Sequence, residues 1–187
     1  MKKVLLLFVA FMCLSVSQAF GYRASDFSSD TKIISAINML EQAGETDVLR
    51  NLQRHGIKIS FDDLSSIGGI STSKTYAVST YNRYGSRVIM INSIYRNAPT
   101  EQIACLIAHE SCHTKQVADL QEETIATQKE AATWIRLRNN SKTYPDSKLT
   151  KRLNNLINLY LASSDNNNLV KQKIASNGFY RSQLGLN

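Results

Sequence analysis

The apolar positions divide the chain into six helical segments and three strands. In residues 28–42, apolar side chains at positions 33, 34, 37 and 40 lie on one face of a helix. Comparable patterns and helix boundary signals predict helices over residues 47–55, 99–118, 120–137, 148–162 and 168–176. Strand patterns cover residues 57–61, 75–81 and 87–95.

The order of these segments indicates the fold class. The last two strands are joined by the five residues NRYGS, whose asparagine and glycine suit a hairpin turn. Helices precede and follow the strands instead of alternating with them, which is typical of an α+β domain. We predict a mostly helical α+β single domain over residues 20–187, with a small β-sheet (hairpin) packed beside the helix at 99–118.

The N-terminal residues predict export. Lys2 and Lys3 precede an apolar run over residues 4–14, and the SQA sequence at 17–19 resembles a signal-peptidase cleavage site. The apolar run is short for a membrane span. We therefore predict a signal peptide over residues 1–19 and a mature protein without stable membrane insertion, located in the periplasm or outside the cell.

The charge of the chain adds little to this prediction. The formal net charge is +7 at pH 7, and removal of residues 1–19, which hold two lysines and no acids, lowers it to +5. The basic residues are scattered, without the patches that mark nucleic-acid-binding proteins. We expect no nucleic-acid partner, and the sequence leaves the oligomeric state open.

Two cysteines, Cys105 and Cys112, lie beyond the predicted signal peptide. On one helix they would be about 10 Å apart along the axis, whereas a disulfide needs Cα atoms within about 7 Å of each other. The spacing therefore predicts two free thiols.

The helix at 99–118 carries the sequence HESCH at residues 109–113. Residues four apart on an α-helix differ by about 40° around the axis, so both imidazoles can face one ion. This HExxH pattern is typical of zinc hydrolases, whose glutamate takes a proton from water. It predicts a Zn²⁺ site with His109 and His113 as metal ligands and Glu110 as the catalytic base.

A catalytic zinc ion normally has a third protein ligand. His55 lies at a polar helix end beside a glycine, which favours a surface role. Asp119 is predicted to cap the next helix and to occupy Glu122 at its N-terminus. Glu123 would then face the preceding helix, so we favour it as the third metal ligand, with Glu122 and Glu130 as alternatives.

The motif and the helix after it resemble the gluzincin branch of zinc metallopeptidases, in particular its small minimal forms. In relatives with short spacing the second helix often reads ExEAD, and residues 123–127, ETIAT, match its first glutamate and its alanine. Thr127 stands where those relatives have an aspartate that orients a ligand histidine.

The resemblance covers residues 87–134. It implies an exported zinc-dependent peptidase that acts on a peptide or protein substrate, with Glu123 as a metal ligand. In this family an edge strand commonly pairs with the extended substrate, and the predicted strand at 87–95 fits that role.

Two hypotheses from other classes remain open. A structural zinc module would use Cys112 beside His109 and would need two further ligands. Cys105 could not join them on a straight helix, because Zn–S bonds are only about 2.3 Å long. A zincin-like protein that has lost catalysis would act as a binding protein, which the missing aspartate favours and the intact Glu110 disfavours.

Overall fold

Seven α-helices and a three-stranded sheet make up the part of the chain that the computed structural model describes, which is residues 21, 23–67, 73–115, 118–163 and 168–186. This architecture confirms the predicted mostly helical α+β domain. The predicted signal peptide lies outside the described residues and stays a prediction. The helices are α1 (Thr31–Gln42), α2 (Thr46–Arg54), α3 (Thr100–Ser111), α4 (Leu120–Leu137), α5 (Lys148–Ala162), α6 (Asn168–Ser176) and α7 (Gly178–Leu184), and the strands are β1 (Lys58–Asp62), β2 (Ala77–Tyr81) and β3 (Arg87–Asn92).

The helix boundaries agree with the prediction where the local signals are strong. Helices α4, α5 and α6 have the predicted bounds. Helix α1 begins at Thr31, because the carboxylate of Asp30 accepts a hydrogen bond from the backbone N–H of Lys32 at 2.9 Å. Helix α7 was not predicted, since its seven residues are too few to establish a period.

The sheet has the order β1-β3-β2. Strand β3 runs parallel to β1 and antiparallel to β2, so that Ile89 lies between Ile59 and Ser79. The hairpin between β2 and β3 closes at Gly85, whose φ of 75° suits glycine. The expectation that 87–95 supplies the edge strand is wrong: β3 is central, and β1 and β2 are the two edges of the described sheet. The nearly continuous apolar run of β3, VIMI, is typical of a central strand.

Helix α3 forms the centre of the domain. All its residues from Glu101 to Ser111 are buried, and the helix contacts α1, α4 and the sheet. The Cys105 side chain lies in this core, Cys112 is half-buried, and both thiols are free, as predicted. Among the described helices, none is both long and apolar enough to span a membrane.

The end of α3 differs from the prediction. The helix ends at Ser111, so the predicted continuation to residue 118 is wrong. The backbone N–H groups of Cys112 and His113 bond to carbonyls three residues earlier, at 3.0 and 3.3 Å, which tightens the last turn. The Ser111 hydroxyl also donates to the Ala108 carbonyl at 2.8 Å, a local bond that competes with the helix. His113 therefore lies just beyond the helix.

Candidate metal centre

Three predicted metal ligands converge between α3 and α4. His109, His113 and Glu123 are buried, and each offers a ligand atom within 4.8 Å of the other two. The Nε2 atoms of His109 and His113 lie 3.7 and 3.6 Å from the two carboxylate oxygens of Glu123. Donor atoms bound to one tetrahedral ion at about 2 Å are about 3.3 Å apart, so these three side chains fit a metal ion of the size of zinc.

The N-terminus of α4 positions Glu123 through local interactions. The carboxylate of Asp119 accepts a hydrogen bond from the backbone N–H of Glu122 at 2.8 Å, as expected of an N-cap. The Glu122 carboxylate accepts two further bonds from Thr114, from its N–H at 2.7 Å and its hydroxyl at 2.8 Å. Glu122 is thus engaged at the helix end, and Glu123 faces α3.

Glu122, one of the two alternative ligands, lies on the outer side of an imidazole. Its second oxygen is 3.5 Å from Nδ1 of His113, the ring nitrogen that faces away from Glu123. In metal sites, carboxylates at this position orient the ligand ring. The geometry therefore suits Glu122 to orient His113.

Glu130 holds the equivalent position at the other histidine. Its carboxylate lies 3.0 Å from Nδ1 of His109, although off the direction of the ring N–H. Arg152 on α5 binds the same carboxylate with two guanidinium nitrogens, one of them at 2.7 Å. Glu130 thus offers the histidine-orienting carboxylate that is missing at Thr127, whose hydroxyl has no hydrogen-bond partner among the described residues. The sequence predicted that Glu130 lies on the same face of α4 as Glu123. It did not indicate Arg152, which is distant along the chain.

The carboxylate of Glu110 lies beside this cluster. One of its oxygens is 3.9 Å from Nε2 of His113, and the backbone N–H of Ser79, on the edge strand β2, donates to the carboxylate. Burial raises the pKa of Glu110 to about 7, although the charge of His109 and the Ser79 N–H act in the opposite direction. A general base works best when its pKa lies near the operating pH.

Arg87 ties the edge strand to the end of α3. This buried side chain donates from Nε to the Ser79 hydroxyl at 2.9 Å and from Nη2 to the Glu110 carbonyl at 3.2 Å. It thereby links β2 to the backbone of Glu110. This role could not be predicted from the sequence, in which Arg87 is only the first residue of a predicted strand.

The two histidines have opposite pKa shifts. Burial lowers the pKa of His109, but the adjacent negative carboxylate of Glu130 outweighs this and raises it to about 9. Burial and the positive charge of His109 lower the pKa of His113 to about 4, although Glu122 acts in the opposite direction. At neutral pH His109 is therefore the positively charged member of the pair, with one more proton than the neutral imidazole, and His113 is neutral.

We expect the uptake of a zinc ion at pH 7 to release about one proton, because a histidine binds metal only in its neutral form. His109, with a pKa of about 9, carries that proton in protein stripped of metal by a chelator. Zinc affinity should rise between pH 7 and this pKa. Calorimetric titration in two buffers with different ionisation enthalpies measures the proton count. The contribution of His109 should vanish when the titration is repeated above its pKa, which leaves only the proton released by metal-bound water. Zinc uptake at pH 7 without proton release would contradict the assignment.

Neither cysteine belongs to the cluster. The Cys112 thiol lies 3.4 Å from the Ala108 carbonyl, to which it donates, and Cys105 lies in the core. Burial raises the pKa of both thiols, that of Cys112 to about 11, which disfavours the thiolate that binds metal. His55 lies outside the cluster too and is exposed at the end of α2.

Comparison of the chain with protein-family models, with curated proteins and with solved structures gave no match.

Proposed function

We propose that the protein is an exported zinc-dependent metallohydrolase, a peptidase that cleaves amide bonds. One observation carries the proposal: His109, His113 and Glu123 converge in a buried cluster, and the carboxylate of Glu110 lies at its side. Two imidazoles and a carboxylate are the ligand set of many catalytic zinc sites.

Each side chain has a distinct role in this proposal. His109, His113 and Glu123 would hold a zinc ion, which supplies Lewis acidity that polarises a carbonyl and lowers the pKa of water to about 7. Glu110 takes a proton from the attacking water and passes it to the leaving amine. Its raised pKa favours both steps, since the carboxylate must accept the proton and then release it.

The edge of β2 that is unpaired in the described sheet favours a peptide as the substrate. The Tyr76 carbonyl accepts a hydrogen bond from the Asn92 N–H at 2.9 Å, which makes these residues a hydrogen-bonded pair. Because such pairs alternate along antiparallel strands, the backbone groups of Ala77, Ser79 and Tyr81 point away from β3. Within the described residues β2 pairs on one side only, and its outer side faces Glu110 through Ser79. An extended peptide can add to such an edge.

The two other hypotheses receive less support. A zincin-like binding protein was favoured by the missing aspartate at Thr127, and Glu130 now offers a carboxylate to His109 in its place. A structural module would need Cys112 among the ligands, and its thiol instead donates to a backbone carbonyl of α3.

A comparison of zinc contents tests the proposal against the structural module. We expect about one zinc ion per chain in the wild type and peptide hydrolysis that a chelator abolishes and zinc restores. Glu123→Ala should weaken zinc binding by more than about tenfold, because a lost ligand should matter at least as much as a lost orienting group. Cys112→Ala should bind zinc as the wild type does.

Elemental analysis gives the zinc content per chain, and competition with a chromophoric chelator gives the zinc affinity. A wild type that binds no zinc would overturn the proposal. Loss of zinc in Cys112→Ala, with Glu123→Ala unaffected, would establish the structural module in its place.

A further inference from the structure

A cavity of about 570 Å³ opens beside the candidate metal centre. Its walls come from α4, α5, α6 and α7 and from the residues that lead into β2. The residues used below are among its lining: Lys74, Thr127, Arg152, Asn155, Leu156, Lys173 and Ile174.

The cavity shares a wall with the metal centre. Thr127 lies four residues after Glu123 on α4, so this wall begins about 6 Å along the helix axis from a proposed metal ligand. Arg152, a second lining residue, binds the carboxylate of Glu130 that contacts His109. Because an extended peptide advances about 3.3–3.6 Å per residue, the cavity lies within one or two residues of a peptide bond at the metal centre.

The charged groups that line the cavity are positive. They are Lys74, Arg152 and Lys173, and the described lining includes no aspartate or glutamate. The charge of Arg152 is balanced by Glu130 behind it. The exposed Lys74 and Lys173 therefore leave the cavity with a positive charge.

The remaining lining combines apolar and hydrogen-bonding side chains. Leu156 on α5 and Ile174 on α6 supply apolar surface, and the polar side chains include that of Asn155 on α5. Ligand pockets of this size are typically apolar with a few polar or charged groups that select the ligand. A short apolar stem that ends in a carboxylate matches such a pocket.

We propose that this cavity is a specificity pocket that receives a carboxylate of the substrate, one or two residues from the cleaved bond. This inference rests on the proposed peptidase function. The carboxylate is carried either by a glutamate or aspartate side chain or by the free C-terminus of the peptide.

Matched peptides test the pocket and distinguish the two carboxylates. One set carries glutamate or glutamine at each position near the cleaved bond, with the C-terminus amidated. A second set carries glutamine throughout, with a free or an amidated C-terminus. We expect kcat/KM to be about tenfold higher for the peptide with the recognised carboxylate, because both lysines attract it.

Charge reversal assigns that preference to the cavity. Lys74→Glu and Lys173→Glu should each reduce or invert the preference for the carboxylate. Lys171→Glu is the matched control, because Lys171 is exposed on the same helix α6 as Lys173 and does not line the cavity. It should keep the wild-type preference.

The outcomes separate this inference from the function on which it rests. Zinc-dependent hydrolysis with equal kcat/KM for all peptides would overturn the pocket and leave the peptidase standing. If no peptide is hydrolysed, the peptidase function fails, and calorimetric binding of the same peptides decides the pocket. Equal binding of carboxylate and amide peptides, or equal effects of Lys173→Glu and Lys171→Glu, would overturn it.

Discussion

Glu110→Gln should lower peptide hydrolysis by about 10²–10⁴-fold, the usual contribution of a general base, while zinc content stays that of the wild type. Glutamine has nearly the shape of glutamate and can still accept the hydrogen bond from the Ser79 N–H, but it cannot take a proton from water. Because Glu110 is not one of the three proposed ligands, the metal should remain bound.

Glu101→Gln is the matched control for this experiment. Glu101 is a buried acid on the same helix α3, but it lies in the first turn and pairs with Lys142 at 2.6 Å. The same substitution there should leave kcat/KM unchanged. Unchanged hydrolysis in Glu110→Gln, or an equal loss in both variants, would refute the role of Glu110 as the base.

Glu130→Ala should destabilise the fold by about 3 kcal/mol, because it leaves the largely buried guanidinium of Arg152 without its carboxylate partner. It should also weaken zinc binding by about 10–100-fold, since His109 loses the carboxylate at its Nδ1 atom. Urea unfolding of the metal-free protein measures the change in stability, and competition with a chelator measures the change in zinc affinity.

The second control separates stability from metal binding. Glu45 is also a buried acid held by two cations, Lys129 at 2.7 Å and Arg136 at 3.0 Å, but it lies outside the metal cluster. Glu45→Ala should destabilise the fold to a similar degree and leave the zinc affinity of the folded protein unchanged. If Glu130→Ala changed stability alone, Glu130 would be a structural ion-pair partner without influence on the centre.

The parts of the fold that depend on local signals could be predicted from the sequence. Helix α4 starts where the Asp119 cap predicts, and the HExxH spacing together with that cap places His109, His113 and Glu123 in one cluster. These features depend on the period of a helix and on a cap, which lie within a few residues of one another.

The parts that failed depend on contacts between distant segments. The order of the strands follows from the parallel pairing of β1 with β3, which a hairpin signal does not reveal. The role of Glu130 depends on Arg152, 22 residues later. Helix α3 ends early because the chain must turn towards α4, where the Glu122 carboxylate accepts hydrogen bonds from Thr114.

The carboxylates around the two histidines have a consequence for charge balance. Glu110, Glu122, Glu123 and Glu130 are all buried. Two guanidinium groups accompany them: that of Arg152 binds the Glu130 carboxylate, and that of Arg87 donates to the Glu110 backbone carbonyl. With neutral histidines and ionised carboxylates, this interior carries a surplus of two negative charges, which is the charge of one divalent cation. Because uncompensated charge is strongly unfavourable away from water, a divalent ion bound by these residues would offset the surplus that protons on His109 and Glu110 offset in the metal-free protein.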